Sequence, residues 1–210
     1  MTGSINRKFL FDHVKGILFG GKFNPAQVKG IDALLDYWEK NHATKDDRWL
    51  AYVLGTAFHE TAFTMQPIKE YGGDKYFTKM YDPLPDGTRP SVAKQLGNVN
   101  RGDGKRYPGR GFVQITGRRN YKDWTNRLGI SGVDLEAKPD LALDIRYATI
   151  IIFEGMIAGT FTSKRLPQYF NKTTEKWVEA RAIVNGKDKA NQIAFYAKTF
   201  YAAISYTTGT

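Results

Sequence analysis

Cysteine is absent from this 210-residue chain. Neither a disulfide framework nor a thiolate zinc site can form. Histidine is scarce: His13, His42 and His59 are scattered without metal-ligand spacing, so no metal is expected. Long apolar runs are also missing. The longest, Ala148 to Phe153, is broken by Glu154, far short of a bilayer span, and no stable membrane insertion is expected. The N-terminus has no basic stretch leading into an uninterrupted apolar one that ends in small residues. It does not read as a secretory signal, so synthesis in the cytoplasm is expected, with any export by another route. Acid is in deficit: 21 Asp and Glu face 31 Lys and Arg, for a net charge of +10. That excess predicts attraction to a polyanion, whether nucleic acid, anionic membrane surface or bacterial wall. It is concentrated in Arg101, Lys105, Arg106, Arg110, Arg118, Arg119 and Lys122, a segment whose only acid is Asp103.

What is present is aromatic and helical. Thirteen Phe, 12 Tyr and 4 Trp support a packed globule rather than disorder. The length suffices for one substantial core with a lobe on each side of a cleft. Apolar spacing predicts a helix over residues 5–19, carrying Phe9, Leu10, Val14, Ile17 and Leu18 on one side and ended by Gly20-Gly21. Asn24-Pro25 opens a second helix bearing Val28, Ile31, Leu34, Leu35 and Trp38. From Tyr71 to Tyr107 glycine and proline are frequent and periodicity is weak, which predicts a long cleft-forming loop. Small irregular strands are expected around Tyr107 to Ile115. Helices resume after Thr116. The segment after Pro139-Asp140 is apolar all round and reads as the core helix, with Glu154 buried in it and hydrogen-bonded to a neighbouring loop. Leu166 to Phe170, Trp177 to Val184 and Ala190 to Ile204 read as further helix. No βαβ rhythm is visible, so the expected class is all-α, or α-dominated with a small β element. One domain over residues 1–210 is expected, with a helical pair in 1–45 and the cleft loop in 71–107.

The central stretch runs from Leu50 to Tyr71. Asp46 or Asp47 can cap a helix in which Trp49, Leu50, Val53, Leu54, Ala57 and Phe58 recur at helical spacing. That face ends at His59-Glu60-Thr61, and Glu70 follows ten residues after Glu60. A carboxylate just past a buried face is expected against apolar walls, where desolvation favours its protonated form and makes a general acid. Pro67 breaks the run, so Glu70 is expected on a loop, facing Glu60 across a gap.

A second stretch, Tyr107 to Tyr121 (YPGRGFVQITGRRNY), alternates glycines with Arg110, Gln114 and Thr116 and closes on Asn120-Tyr121. Such glycine density lets backbone approach a ligand, and Gln, Thr, Asn and Tyr suit sugar hydroxyls and N-acetyl groups. A third piece is Arg181-Ala182-Ile183-Val184-Asn185-Gly186. In this order the three resemble family 19 glycoside hydrolases, which are chitinases and their phage endolysin relatives in the lysozyme-like superfamily. The resemblance runs over roughly residues 50 to 200, and Phe153 to Thr162 also looks like a segment of the phage members.

The resemblance implies a cofactor-free, inverting hydrolysis of a β-1,4 glycosidic bond. Glu60 matches the general acid, Glu70 the candidate general base, and Thr116 the residue that holds the attacking water. Inversion calls for carboxyls roughly 6.5–9.5 Å apart. Candidate substrate-side residues are His59, Tyr107, Arg110, Gln114, Asn120, Tyr121 and Asn185. Among them Gln114, Asn120 and Asn185 match sugar-binding positions, Arg110 a cleft organiser, and His59 a support that orients Glu60. The chain departs from the plant chitinases in having no cysteine and in spacing its acids half as far apart, so Asp74 and Asp82 stand as alternatives to Glu70. Glu60→Gln is expected to fold normally and lose nearly all activity.

Both chitin and peptidoglycan carry β-1,4-linked N-acetylglucosamine. The basic segment, the compact chain and the resemblance to phage lysins favour peptidoglycan, whose lactyl-peptide carboxylates Arg118, Arg119 and Lys122 can attract. The expected protein is thus a monomeric endolysin that binds glycan strands, reaches the periplasmic wall through a separate holin-like permeabilising factor, and does not bind nucleic acid. Alternatives are a chitinase and a non-catalytic wall-binding or virion module.

Overall fold

A computed structural model of the chain describes residues 4–207. In chain order its elements are α1 (Arg7–Leu18), α2 (Pro25–Asn41), α3 (Asp47–Glu60), β1 (Ile68–Lys69), α4 (Asp74–Tyr81), α5 (Pro90–Leu96), α6 (Asp103–Arg106), β2 (Arg110–Gly111), α7 (Arg118–Leu128), α8 (Ile145–Ala158), β3 (Phe170–Asn171), β4 (Thr174–Glu175) and α9 (Ala190–Ala203). Short 3-10 turns sit at Pro139–Leu143, Leu166–Gln168 and Glu179–Ile183. The class is α-dominated with a small β element, as the sequence predicts. The chain forms two compact units: residues 1–66 with 149–210, and residues 67–148. The division falls inside α8, between Ala148 and Thr149.

In the first unit the helix starts are written locally. Asn6 accepts from the Phe9 N–H, and Asp46 from the Arg48 N–H. Asn24 and Gln27 exchange hydrogen bonds in a full capping box, with Pro25 in the first helical position. The apolar side of α1 is narrower than its spacing suggests: Leu10 and Val14 are buried, whereas Phe9 is 45% and Ile17 53% exposed. In α3 every residue from Leu50 to Phe58 is buried, and the helix packs chiefly on α9, where Ile193, Ala197, Phe200 and Ala203 are fully covered. This corrects the expectation that α8 is the helix buried all round, since Ile150, Glu154 and Ile157 of α8 keep partial exposure. Glu154 accepts from the Tyr37 hydroxyl at 2.8 Å and lies 2.9 Å from His42 Nε2, so its partners come from α2 and its C-cap rather than from a loop. The predicted helix at Leu166 to Phe170 is a 3-10 turn leading into an antiparallel hairpin that pairs Phe170 with Glu175 and Asn171 with Thr174. Trp177 to Val184 likewise holds a 3-10 turn rather than an α-helix.

In the second unit the expected loop over 71–107 is instead three short helices, α4, α5 and α6, of eight, seven and four residues. Helices this short cannot repeat an apolar stripe over several turns, so periodicity is blind to them. Their glycines and prolines are boundaries: Pro90 begins α5, and Gly97 ends it in the left-handed conformation. Phe77, Ala93, Phe112, Tyr121, Trp124 and Leu135 form the core. β1 pairs antiparallel with β2, Ile68 with Gly111 and Lys69 with Arg110, which fixes the glycine-rich segment beside the strand that precedes Glu70.

Candidate active site

The first unit supplies the end of α3. Thr61 stops the helix: its hydroxyl donates to the Ala57 carbonyl at 2.7 Å and accepts from the Met65 N–H at 3.1 Å. Glu60 is therefore the last helical residue, with its side chain 18% exposed. Its neighbour is not the apolar wall the sequence suggests. The Arg181 guanidinium, 4% exposed, donates through Nη1 to Glu60 Oε1 at 2.5 Å. Arg181 is itself aimed by a hydrogen bond from Nε to the Asp188 carbonyl at 3.0 Å. The pair joins residues 121 apart in sequence, so no local pattern announces it. The signal was nonetheless present, because Arg181 opens the third motif, four residues before Asn185.

His59 is half-buried against the Tyr196 ring, with centroids 6.3 Å apart, and its buried Nδ1 has no hydrogen-bond partner among the described residues. Burial holds the imidazole below its ordinary value; Glu60 opposes this and Arg181 adds to it. Asn185 is exposed, and its carbonyl oxygen accepts from the Gly186 N–H.

The second unit supplies Glu70, which lies on the loop after β1 as Pro67 suggests. Both carboxylate oxygens are held: Oε1 accepts from the Tyr81 hydroxyl at 2.7 Å and Oε2 from the Gly109 N–H at 2.9 Å. The Glu70 N–H returns a bond to the Gly109 carbonyl at 2.8 Å. The second acid and the glycine-rich segment are thus one structure. Tyr81 is the residue that sequence reasoning missed here, since a tyrosine in α4 carries no mark of this contact. Burial and the Glu70 carboxylate both push its hydroxyl above the ordinary phenol range.

Gly109 lets the Gln114 and Thr116 side chains close in on the backbone. A Cβ there would meet Gln114 Oε1 at 2.8 Å and Thr116 Oγ1 at 3.2 Å. Gln114 holds a left-handed backbone with φ 52°, a conformation disfavoured for a residue with a side chain. Its amide stabilises that turn by donating to the Ile68 and Gly111 carbonyls at 2.9 and 3.0 Å. Thr116 donates to the Gln114 carbonyl at 2.9 Å, and Asn120 to the Thr116 carbonyl at 2.6 Å. Gln114, Thr116 and Asn120 remain half-exposed around Gly109.

Other expected contacts turn inward. Tyr107 and Tyr121 are fully buried, so neither offers a surface to a sugar. Tyr107 donates to the Glu136 carbonyl at 3.0 Å, and Tyr121 to the Pro108 carbonyl at 2.7 Å. Arg110, 4% exposed, organises the segment from within: Nε reaches Asp140 at 2.8 Å and Nη1 the Tyr121 hydroxyl at 3.0 Å. Arg118 pairs with Asp103 at 2.5 Å and Glu136 at 2.9 Å, and Arg119 donates to the Gln95 carbonyl, so neither guanidinium is idle. Asp82 is 2% exposed and accepts from the Gly102 and Gly104 N–H groups, which removes it as a substitute for Glu70. Asp74 is exposed in the first turn of α4. Among the described residues no group of three or more His, Asp or Glu stands where a metal could be held, and no helix is long and apolar enough to cross a membrane.

No family model matches the chain. A Haemophilus influenzae protein described as a glycosyl hydrolase family 19 domain-containing protein is 35% identical over 83 residues, which cover 37% of this chain and 42% of that protein. The match thus spans under half the length of this curated relative. A Glu-to-Gln variant of chitinase C superposes with a TM-score of 0.59 at 20% identity, covering 100% of this chain and 96% of the other. A bacterial family 19 chitinase aligns with a TM-score of 0.48 at 17% identity, over 99% and 98% of the two chains. Over those 83 residues the chain is thus similar in sequence to a protein described by its family 19 glycosyl hydrolase domain, and its helix-dominated fold is similar to that of chitinase C.

Proposed function

We propose that the chain is an endolysin-type glycosidase that cleaves β-1,4 bonds of bacterial peptidoglycan with inversion. Glu60 serves as general acid to the departing sugar oxygen. Glu70 serves as general base, and Thr116 orients the water it activates. Asn120 and Asn185 offer amides to N-acetyl sugars, and Gln114, whose two amide hydrogens are used within the turn, offers Oε1. The observation that carries the reading is the fixing of Glu70 through both oxygens, one of them by the Gly109 amide of the motif that resembles the family. A carboxylate held this way keeps one orientation, which a base acting on a single water needs. Arg181 holds Glu60 through one oxygen, Oε1.

The preference for peptidoglycan over chitin rests on the net charge of +10. In this reading the protein is a cytoplasmic product that reaches the wall after a separate factor opens the membrane. The likeness in fold to chitinase C favours one rival, hydrolysis of N-acetylglucosamine polymers. Mass spectrometry of borohydride-reduced products from purified peptidoglycan and from chitin separates them. Muramitol or glucosaminitol ends from peptidoglycan are the expected result. Products from chitin alone would move the substrate to the rival, and none from either would end the hydrolase reading.

A further inference from the structure

The second unit holds a cavity of about 410 Å³ that the proposed chemistry does not use. Arg101, Lys105, Arg106 and Arg118 line it, with Asp103 as its one acid. Its cations are not equivalent. Arg118 is neutralised by Asp103 and Glu136, and Arg101 by Asp86 at 2.5 Å. Lys105 is exposed and makes no side-chain hydrogen bond or ion pair among the described residues. Arg106 has no acidic partner either: only Nη2 is engaged, by the Glu136 and Ala137 carbonyls, while its guanidinium lies over the Tyr107 ring. Two positive charges therefore line a concave surface without an ion-pair partner among the described residues.

The size and lining say what fits. This volume lies in the range of small-ligand sites rather than of an open channel. No aromatic side chain lines it, so it lacks the stacking platform that single-stranded nucleic acid uses. Arg106 lies three residues before Gly109, whose N–H holds Glu70. The chain can span at most ~11 Å between those two α-carbons, about three residues of extended backbone. The pocket and the Gly109 amide that holds Glu70 thus belong to one unit and lie close along the chain.

We infer that this pocket is a subsite for substrate carboxylates, in which Lys105 and the free edge of the Arg106 guanidinium bind the acidic substituents of a glycan strand. The inference rests on the peptidoglycan reading and moves the acid-recognising role from Arg118, which is tied to Asp103 and Glu136, and Arg119, which does not line the pocket, to Lys105 and Arg106. Isothermal titration with a soluble muropeptide, and with the same compound after amidation of its carboxylates, tests it on the full chain. Wild-type protein binds the amidated form roughly tenfold more weakly, as expected for loss of a charge-assisted pair. Lys105→Gln loses part of the preference for the acidic form, and Lys105→Gln/Arg106→Gln loses all of it, so that amidation costs the double variant nothing more. The single variant guards against loss of the Arg106 backbone contacts.

A folded variant that still discriminates the two forms as wild type does would overturn the proposal. So would an equal loss for both forms, or loss of binding to a single-stranded DNA 20-mer with muropeptide affinity intact. Reducing ends measured in parallel keep the two readings apart. Charge discrimination without hydrolysis rejects the enzyme and keeps the subsite, and hydrolysis without discrimination does the reverse.

Discussion

At the residue scale, the partner of Glu60 changes what its removal should do. The bare sequence suggests that Glu60→Gln leaves folding untouched. Arg181 is 4% exposed, so replacing Glu60 by Gln takes away the counter-charge of a buried guanidinium while keeping one amide oxygen to accept its hydrogen bond. The expected cost is about 1–3 kcal/mol, below the 3–5 of a fully buried pair because Glu60 is partly exposed and the acceptor survives. Urea unfolding measures it. Activity on peptidoglycan should fall about 10²–10⁴-fold, the contribution typical of a general acid. A variant that keeps more than a tenth of wild-type turnover removes Glu60 from that role. Arg181→Met should destabilise by a similar amount, since Glu60 then loses this charged partner. An unchanged urea midpoint in Arg181→Met would show that the pair contributes nothing to stability.

Helices bring opposing effects into the open. Gly55 lies in α3 where it crosses α9, and a Cβ there would meet Ala197 N at 2.7 Å and Ala197 Cα at 2.8 Å. Alanine is the better helix former by about 1 kcal/mol, but pushing two helices apart costs about 1–3 kcal/mol, so packing wins. Gly55→Ala should lower the thermal midpoint. Gly16 in α1 is the converse, with nothing within 4 Å of its Cβ position. Gly16→Ala should raise stability by about 0.5–1 kcal/mol through backbone entropy alone. Differential scanning of the two variants beside wild type reads both signs, and shifts in the same direction would refute the assignment. The starts of α2 and α3 were legible because a cap and the N–H it accepts from lie within three residues. α4, α5 and α6 were not, because four to eight residues are too few for a stripe to repeat.

For the molecule as a whole, two groups are among those that shape the expected response to pH. His59 is held below its ordinary value, chiefly by burial. As pH falls through about 6.5, the unfolded chain takes up a proton there that the folded one does not, so stability declines with falling pH. Asp103 is also held low: burial would raise it, but the Arg118 ion pair and the Asn100 and Val99 amides outweigh burial. Its contribution is present above about pH 3.9 and is lost as pH falls through the lower folded value. Urea midpoints across pH 3–8 should therefore decline in two stages, and His59→Gln should flatten the upper one. A flat profile in wild type between pH 5 and 7 would contradict the burial of His59. The charge of +10 spreads over both units and, like any surface field, should make wall binding weaken with added salt.

What the chain determines on its own is whatever acts over a few residues: the caps, the apolar stripes of α2 and α3, the dense glycines around Gly109, and the excess of positive charge. Those are enough for the class and for the family resemblance. Folding alone decides which charges stay free. Arg118 and Lys105 look alike in the sequence, yet one is tied to Asp103 and Glu136 and the other to nothing among the described residues. Tyr107 and Tyr121 read as sugar contacts and prove to be core. Glu60 finds Arg181 from 121 residues away. Desolvation and ion pairing depend on what surrounds a group in space, and only the tertiary structure brings those neighbours together.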